Sequence, residues 1–251
     1  MKYLVAVLLF LFPVRFVNIC CKCLRYKGLN VHGKNIKIGF SLILCDKIDL
    51  SDNSRIGHLN LIKCKNLSMV SSKINHLNFI RGDFSIIMKI GSWINNQNKI
   101  SAIDNAYHNV NLVLEERAKI GVKHLLDMTD SIFIGKDSML AGADTQIWTH
   151  NFYFSKNSSK IAREDAPVII GKNCYIGARC TIMAGVNISN GITIGAHCCV
   201  PKSLLKQGLY VGQGLRFIEF DPDKRMDSLG VSVYKDFIFR RKQNVEEYTD
   251  N

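Results

Sequence analysis

The stretch "VIIGKNCYIGARCTIMAGVNISNGITIGAHCCV", Val168 to Val200, decides the fold. Every sixth residue from Ile170 is Ile or Val: Ile170, Ile176, Ile182, Ile188, Ile194 and Val200. A period of six matches neither the 3.6 of a helix nor the simple alternation of a strand. It suits a short strand followed by a tight turn, and three such units make one triangular coil of eighteen residues. Stacking the coils sets residue i over residue i+18. Each aliphatic slot then becomes a column inside a prism, and each coil depends on its neighbours for burial. Side chains alternate along a strand, so a second inward slot lies two residues earlier. It holds Val168, Cys174, Cys180, Val186, Ile192 and Cys198. The cysteines read as small buried fillers. Turn positions carry Gly171, Asn173, Gly177, Asn190, Gly191 and Gly195, residue types that tolerate left-handed backbone angles.

Toward the N-terminus the same period is rougher. Ile38, Leu44, Leu50, Ile56, Ile62, Ser68, Ile74, Ile80 and Ile86 occupy successive slots, all but Ser68 aliphatic. The second slot brings in Asn60, Asn66 and Asn78, which means either a less oily interior or asparagines at turns. Residues 88–112 are expected to lose phase. Phase returns with Leu114, Ile120 and Leu126, then slips by two to Ile134 and Leu140. It stops again at "ADTQIWTHNF", Ala143 to Phe152, and resumes only at Val168. The segment 151–167 is therefore expected to loop outward, with His150 at its start.

Bulk properties fit a globular chain that meets an anionic partner. The 251 residues are 47% apolar and 22% charged, with a formal charge of +12. No arginine-rich recognition helix, zinc-finger spacing or RNA-binding aromatic motif is present, so nucleic acid is not expected. Nine cysteines are an odd number and too few for a small disulfide scaffold, which points to a reducing, cytoplasmic setting. Cys20, Cys21 and Cys23 lack a matching second cluster, so no metal is expected. Residues 1–30 form an apolar and basic segment. Its apolar run from Tyr3 is broken by Pro13 and Arg15 and is too short to span a bilayer. It reads as a helix buried against the body, or as one lying in a membrane interface with Arg15, Lys22, Arg25 and Lys27 as anchors. Residues 31–205 form the prism. Residues 206–251 cap it and lead out, with a strand-like run from Val231 to Phe239.

"VIIGKNCYIGARCTIMAGVNISNGITIGAHCCVPKSL", residues 168–204, resembles the last coils of the hexapeptide-repeat acyltransferases, the acetyl-CoA-using branch that includes sugar O-acetyltransferases and serine acetyltransferases. The resemblance implies an all-β, left-handed parallel β-helix. It also implies a homotrimer with active sites between adjacent prisms, acetyl-CoA along a groove beside the C-terminal coils, and a catalytic histidine at the start of an outward loop. "IWTHNFYFSKNSSKIAREDAPVIIG" matches that layout, and the histidine is His150. For the CoA, the resemblance points to Ala178 and Ala196, eighteen residues apart, to Lys202 in "VPKSL" near the phosphates, and to Arg216 as a helper.

A hydroxyl is a poor nucleophile at neutral pH, and an imidazole can take its proton as it attacks a thioester. Holding both substrates side by side supplies proximity, so no acyl-enzyme is required. The oxyanion needs a donor, expected from backbone near Gly142. The base needs an orienting group, for which Asp144 is the candidate. Gln146 and Trp148 alternate with it and are expected to line the acceptor pocket. The expected function is acetyl transfer from acetyl-CoA to a hydroxyl of a saccharide, lipid-linked at the inner membrane, in surface polysaccharide biosynthesis. Acetylation of an amino-sugar nucleotide or of serine uses the same base logic. A non-catalytic β-helix scaffold or metal-binding prism is the rival outside enzymes.

Overall fold

The computed structural model describes residues 1–102, 109–212, 232–234 and 237–241. Most hexads make a short strand that carries an inward aliphatic side chain. Arg55–Ile56, Lys73–Ile74 and Tyr175–Ile176 are two-residue strands with the first side chain exposed and the second buried. Strands this short cannot stand alone. Each pairs in parallel with its equivalent one coil away, which divides the chain among three sheets of eight, nine and eight strands. The first face runs from Leu29–Val31 to Asn187–Ile188 and the second from Lys37–Ile38 to Gly208–Tyr210. The third runs from Leu42–Ile43 to Cys199–Val200. The result is a triangular parallel β-solenoid, as the hexads predict, and in keeping with the left-handed β-helix that the resemblance implies. Among the described residues its last strand ends at Tyr210, five residues beyond the expected boundary at 205.

Ile56, Ile74, Ile94, Ile120, Leu140, Ile176 and Ile194 stack in register as one interior column, none more than 3% exposed. Two slots differ from the sequence reading. Ile43, not Leu44, points inward, and Leu67 and Met69 flank the expected Ser68 on the interior side. The physical reason is uneven steps between faces: second-face strands recur after eighteen residues, Ile38 on Ile56 on Ile74, but the inward slots between them fall at Ile43 and Leu50, then at Ile62 and Met69, so the third-to-first-face step is one residue longer than the period. The expected loss of phase over 88–112 is corrected for its first part, to Ile100, while residues 103–108 of that span lie outside the described residues. The four-residue strand Ser85–Met88 buries Met88 as well as Ile86, so the six-step count restarts at Met88 and continues through buried Ile94 and Ile100.

The interior corner between the second and third faces settles the asparagine question. Asn60, Asn78 and Asn98 are buried there, one per coil. The Oδ1 of Asn60 accepts the backbone N–H and the Nδ2 of Asn78, and Asn78 does the same for Asn98. Asn98 Oδ1 then accepts the His124 N–H, His124 Nδ1 accepts the Thr145 N–H, and Thr145 Oγ1 accepts the Cys180 N–H. A buried backbone N–H without a partner is costly, and here a column of side chains supplies one at every coil. His124 must be neutral to accept, and burial pushes it down to about 4. Asn66 sits elsewhere, half-buried, donating to Ser85 Oγ. On the outside of the same corner, Gly177 lacks a side chain because a Cβ would fall 2.6 Å from the Ala196 nitrogen of the next coil.

Two helices, not one, cover the open end of the first coil: α1 (Lys2–Leu11) and α2 (Val14–Cys23). Pro13 causes the break. It forces Phe12 into extended backbone and caps the start of α2, where its missing N–H costs nothing. Leu9, Val14, Val17 and Cys21 join Leu29, Ile36 and Ile43 in one apolar cluster. At the other end of the chain, the outward loop is a hairpin, His150–Phe154 antiparallel to Ile161–Asp165. Phe237–Arg241 lies parallel to its outer strand, followed by Ser232–Tyr234, which accounts for the strand-like run expected near the C-terminus.

Candidate active site

His150 is the first residue of the hairpin, where the chain leaves the third face. Its Nδ1 donates to Asp127 Oδ2 at 2.8 Å, and both side chains are nearly buried. Asp127 ends the strand Leu125–Asp127, and its carboxylate is held from several sides. Thr129 Oγ1 donates to Oδ1 at 2.8 Å, and the Thr149 N–H and Oγ1 donate to Oδ2 at 3.0 and 2.9 Å. Burial pushes the Asp127 carboxyl up. The hydrogen bond and charge of His150, with the Thr129 and Thr149 donors, outweigh it and hold the group below its ordinary value. An ionised acceptor on Nδ1 fixes the tautomer: the proton sits on Nδ1, and Nε2 is left as the basic nitrogen.

The ring is wedged between two aromatics, edge-on to each. Trp148 lies at 5.9 Å and Phe152 at 5.2 Å between centroids. Trp148 Nε1 donates to exposed Gln146 Oε1 at 3.1 Å, so Gln146, Trp148 and His150 form one row along the strand, as alternation predicts. Beside them, in register with His150, lies Asp165, forked by Arg163 at 2.7 and 2.9 Å with both side chains buried. Burial drives the Asp165 carboxyl up to about 6, against the pull of Arg163 and His150.

Asp144 does not orient the base. It is the left-handed turn residue at the opposite corner, exposed, and its carboxylate faces Arg179 at 3.5 Å. The place expected for it is filled by Asp127. Sequence reading passed over Asp127 because the insertion of a coil corner near Gly142 shifts the stacking: Thr149 lies 22 residues from Asp127, not 18. A signal was present. The two-residue slip between Leu126 and Ile134 contains Asp127, Thr129 and Asp130, polar side chains buried where the period breaks.

The residues expected to hold CoA divide between two edges of the third face. Ala178 and Ala196 stack at the corner before it, tied by the His197 N–H donating to Ala178 O. Gly142 stacks on Ala178 so closely that a Cβ on the glycine would lie 2.7 Å from the alanine's. Lys202 is exposed at the far edge, two coils beyond His150 on the side where His150 leaves the face. Within one chain, roughly 17 Å of strand separates the alanine corner from His150. One chain therefore does not bring His150 together with Ala178 and Ala196. Arg216 lies outside the described residues.

Fold and site together define a hexapeptide-repeat β-helix with an Asp–His pair at the mouth of an outward hairpin. A family profile described as the hexapeptide repeat of succinyl-transferase matches residues 167–200, which bears out the resemblance read from the same coils. A curated relative, the putative lipopolysaccharide biosynthesis O-acetyl transferase WbbJ of Escherichia coli (strain K12), is 26% identical over 100 residues, 36% of this chain and 50% of that protein. The chain thus matches about half the length of this curated relative. Among solved structures, the polySia specific acetyltransferase NeuO is similar at a TM-score of 0.40 and 18% identity, over 87% of this chain and 90% of that one. A maltose O-acetyltransferase from Clostridium difficile 630 is similar at a TM-score of 0.27 and 18% identity, over 88% and 84%.

Proposed function

We propose that this protein is an acyltransferase that moves an acetyl group from acetyl-CoA to a hydroxyl of a saccharide, in the assembly of a surface polysaccharide. The observation that carries the reading is the Asp127–His150 pair, buried, held by Thr129 and Thr149, and leaving Nε2 as the base. Nε2 takes the proton of the acceptor hydroxyl as its oxygen attacks the thioester carbonyl. The imidazolium so formed is stabilised by the Asp127 carboxylate. When the tetrahedral intermediate collapses, the C–S bond breaks and the CoA thiolate recovers the proton from His150. Gln146 and Trp148 line the acceptor side, and a backbone N–H near Gly142 of the adjoining prism faces the oxyanion.

For the donor, the Ala178 and Ala196 corner, smoothed by Gly142 and Gly177, has the low relief that lets a pantetheine arm lie against backbone. Lys202 offers its ammonium to the phosphates, with Arg216 assisting. Because these alanines and His150 stand at opposite edges of one face, the working form is a homotrimer in which one prism's alanine corner meets the next prism's His150 edge. The relative named WbbJ is described as acting in lipopolysaccharide biosynthesis, and an acceptor carried on a lipid at the inner membrane fits the basic N-terminal segment.

The test follows thiol release from acetyl-CoA in the presence of lipid-linked saccharides, free saccharides, amino-sugar nucleotides and serine. Release with a saccharide, cut on the order of a hundredfold or more by His150→Ala, is the expected result. Unchanged turnover in that variant contradicts the role given to His150, and release only with an amino-sugar nucleotide or serine contradicts the acceptor.

A further inference from the structure

We propose that the outer face of α1 and α2 is a docking surface for a bilayer that contains anionic lipid. This extends the peripheral placement given above and is independent of the chemistry at His150. Both helices use one side to cover the first coil, yet large apolar side chains also line their other side. Leu4, Val7, Leu11, Phe16, Ile19 and Leu24 are each at least 50% exposed. From Tyr3 on, α1 is apolar all round but covered on one side only, and on α2 exposed Phe16 and Ile19 stand beside Arg15 and Lys22, a combination that marks an interaction surface. The apolar surface continues into a groove of about 440 Å³ between the helices and the prism, where Phe10, Phe12 and Phe40 lie open above half-buried Ile38.

Charge identifies the occupant. The 45 residues before Asp46 contain seven Lys and Arg and no Asp or Glu. Arg15, Lys22, Arg25 and Lys27 are all exposed beside the apolar side chains. A second copy packed on the same face by twofold symmetry would set these cations against their own images. An anionic bilayer accepts both features: the apolar side chains enter the acyl boundary while the long basic stems reach the headgroups. The helices lie on the surface and do not cross it. α1 has ten residues, about 15 Å, against a hydrocarbon core of about 30 Å. Among the described residues no helix is long and apolar enough to span. With this end on the membrane, the strand leading to His150 stands five strands from the covered end, about 24 Å away, clear of the headgroups and open to soluble substrate.

The full chain is floated with vesicles of phosphatidylcholine alone and of phosphatidylcholine with an equal amount of phosphatidylglycerol, while acetyl transfer to a soluble saccharide is followed in parallel. Binding to the mixed vesicles that weakens as salt rises is expected, with little binding to phosphatidylcholine alone. The double variant Leu11→Glu, Ile19→Glu changes only exposed side chains. It should keep its melting temperature, its light-scattering mass and its transfer to the soluble acceptor, and lose flotation. Arg15→Gln and Lys22→Gln should each lower partitioning roughly fivefold. The proposal fails if the wild-type chain stays unbound at low salt, or if the double variant floats like the wild type. It fails equally if the double variant dissolves an oligomer, because a second copy then covers this face.

Discussion

The coils before Ala102 and those after Val168 build the same prism from different interiors. The early coils fill the corner between the second and third faces with Asn60, Asn78 and Asn98, each hydrogen-bonded to the next. The late coils place Cys180 and Cys198 at the same corner, and their thiols donate only to nearby carbonyls. One end of the molecule is therefore held by an unbroken polar column and the other by small apolar fillers. The asparagine column loses several bonds when one member is removed, and a cysteine filler loses only its own volume. His150 leaves the prism between these two regimes, where the column changes from asparagine through His124 and Thr145 to cysteine.

Breaking the polar column should give the largest effect on stability. Asn78→Ala strands the Asn98 N–H, while Asn98 Nδ2 keeps only its bond to Gly121 O and Asn60 Oδ1 keeps only the backbone N–H of residue 78. A loss of about 4 kcal/mol is expected in denaturant unfolding, about 2 kcal/mol for the stranded N–H and about 1 kcal/mol for each of the two side-chain bonds lost. A loss below about 1 kcal/mol would mean that water repairs the gap and that the column is not the strength of the early coils.

His124 sharpens the comparison by making one rung of the column titratable. Its folded value of about 4 lies below its ordinary 6.5, so the unfolded chain binds the proton more readily. The stability it supports is full above pH 6.5 and is lost as pH falls toward 4, about 3 kcal/mol in all. Asp165, raised to about 6, shifts stability in the opposite sense over part of that range, so the comparison must be made with a second protein. His124→Asn keeps the column in asparagine. The difference in unfolding free energy between wild type and this variant should move by about 3 kcal/mol in the variant's favour between pH 6.5 and 4. A difference that is flat with pH would contradict a buried neutral imidazole.

The smallest effect belongs to the late coils. Cys180→Ala removes one buried sulfur from a corner with no relay through its side chain, and about 1 kcal/mol is expected from the same unfolding measurement. A loss as large as that of Asn78→Ala would erase the distinction between the two ends.

How far the sequence could be read follows the same division. Ile170 to Val200 is legible because each late coil has eighteen residues and one aliphatic per slot. In the early coils, "LILC" offers adjacent aliphatics, and only the pairing of Ile43 with Ile62 on the third face selects Ile43 over Leu44. Asn60 and Asn78 were ambiguous because asparagine suits both a buried relay and a left-handed turn, and the turn residues beside them are in fact Leu59 and Leu77. His150 was legible from the break in period. Asp127 was not, because its link to His150 spans a coil lengthened by an irregular corner between Ile120 and Val122 on one side and Ala143 on the other.

The role of the Asp127–His150 pair is tested most directly by comparing Asp127→Asn with Asp144→Asn in the thiol-release assay, each variant first shown to melt like the wild type. Asp127→Asn should lower kcat by about a hundredfold or more with little change in KM, because the amide no longer fixes the proton on Nδ1, while Asp144→Asn should stay within about twofold of wild type. Full activity in Asp127→Asn, or the larger loss in Asp144→Asn, would contradict the assignment of Asp127 as the group that makes His150 a base.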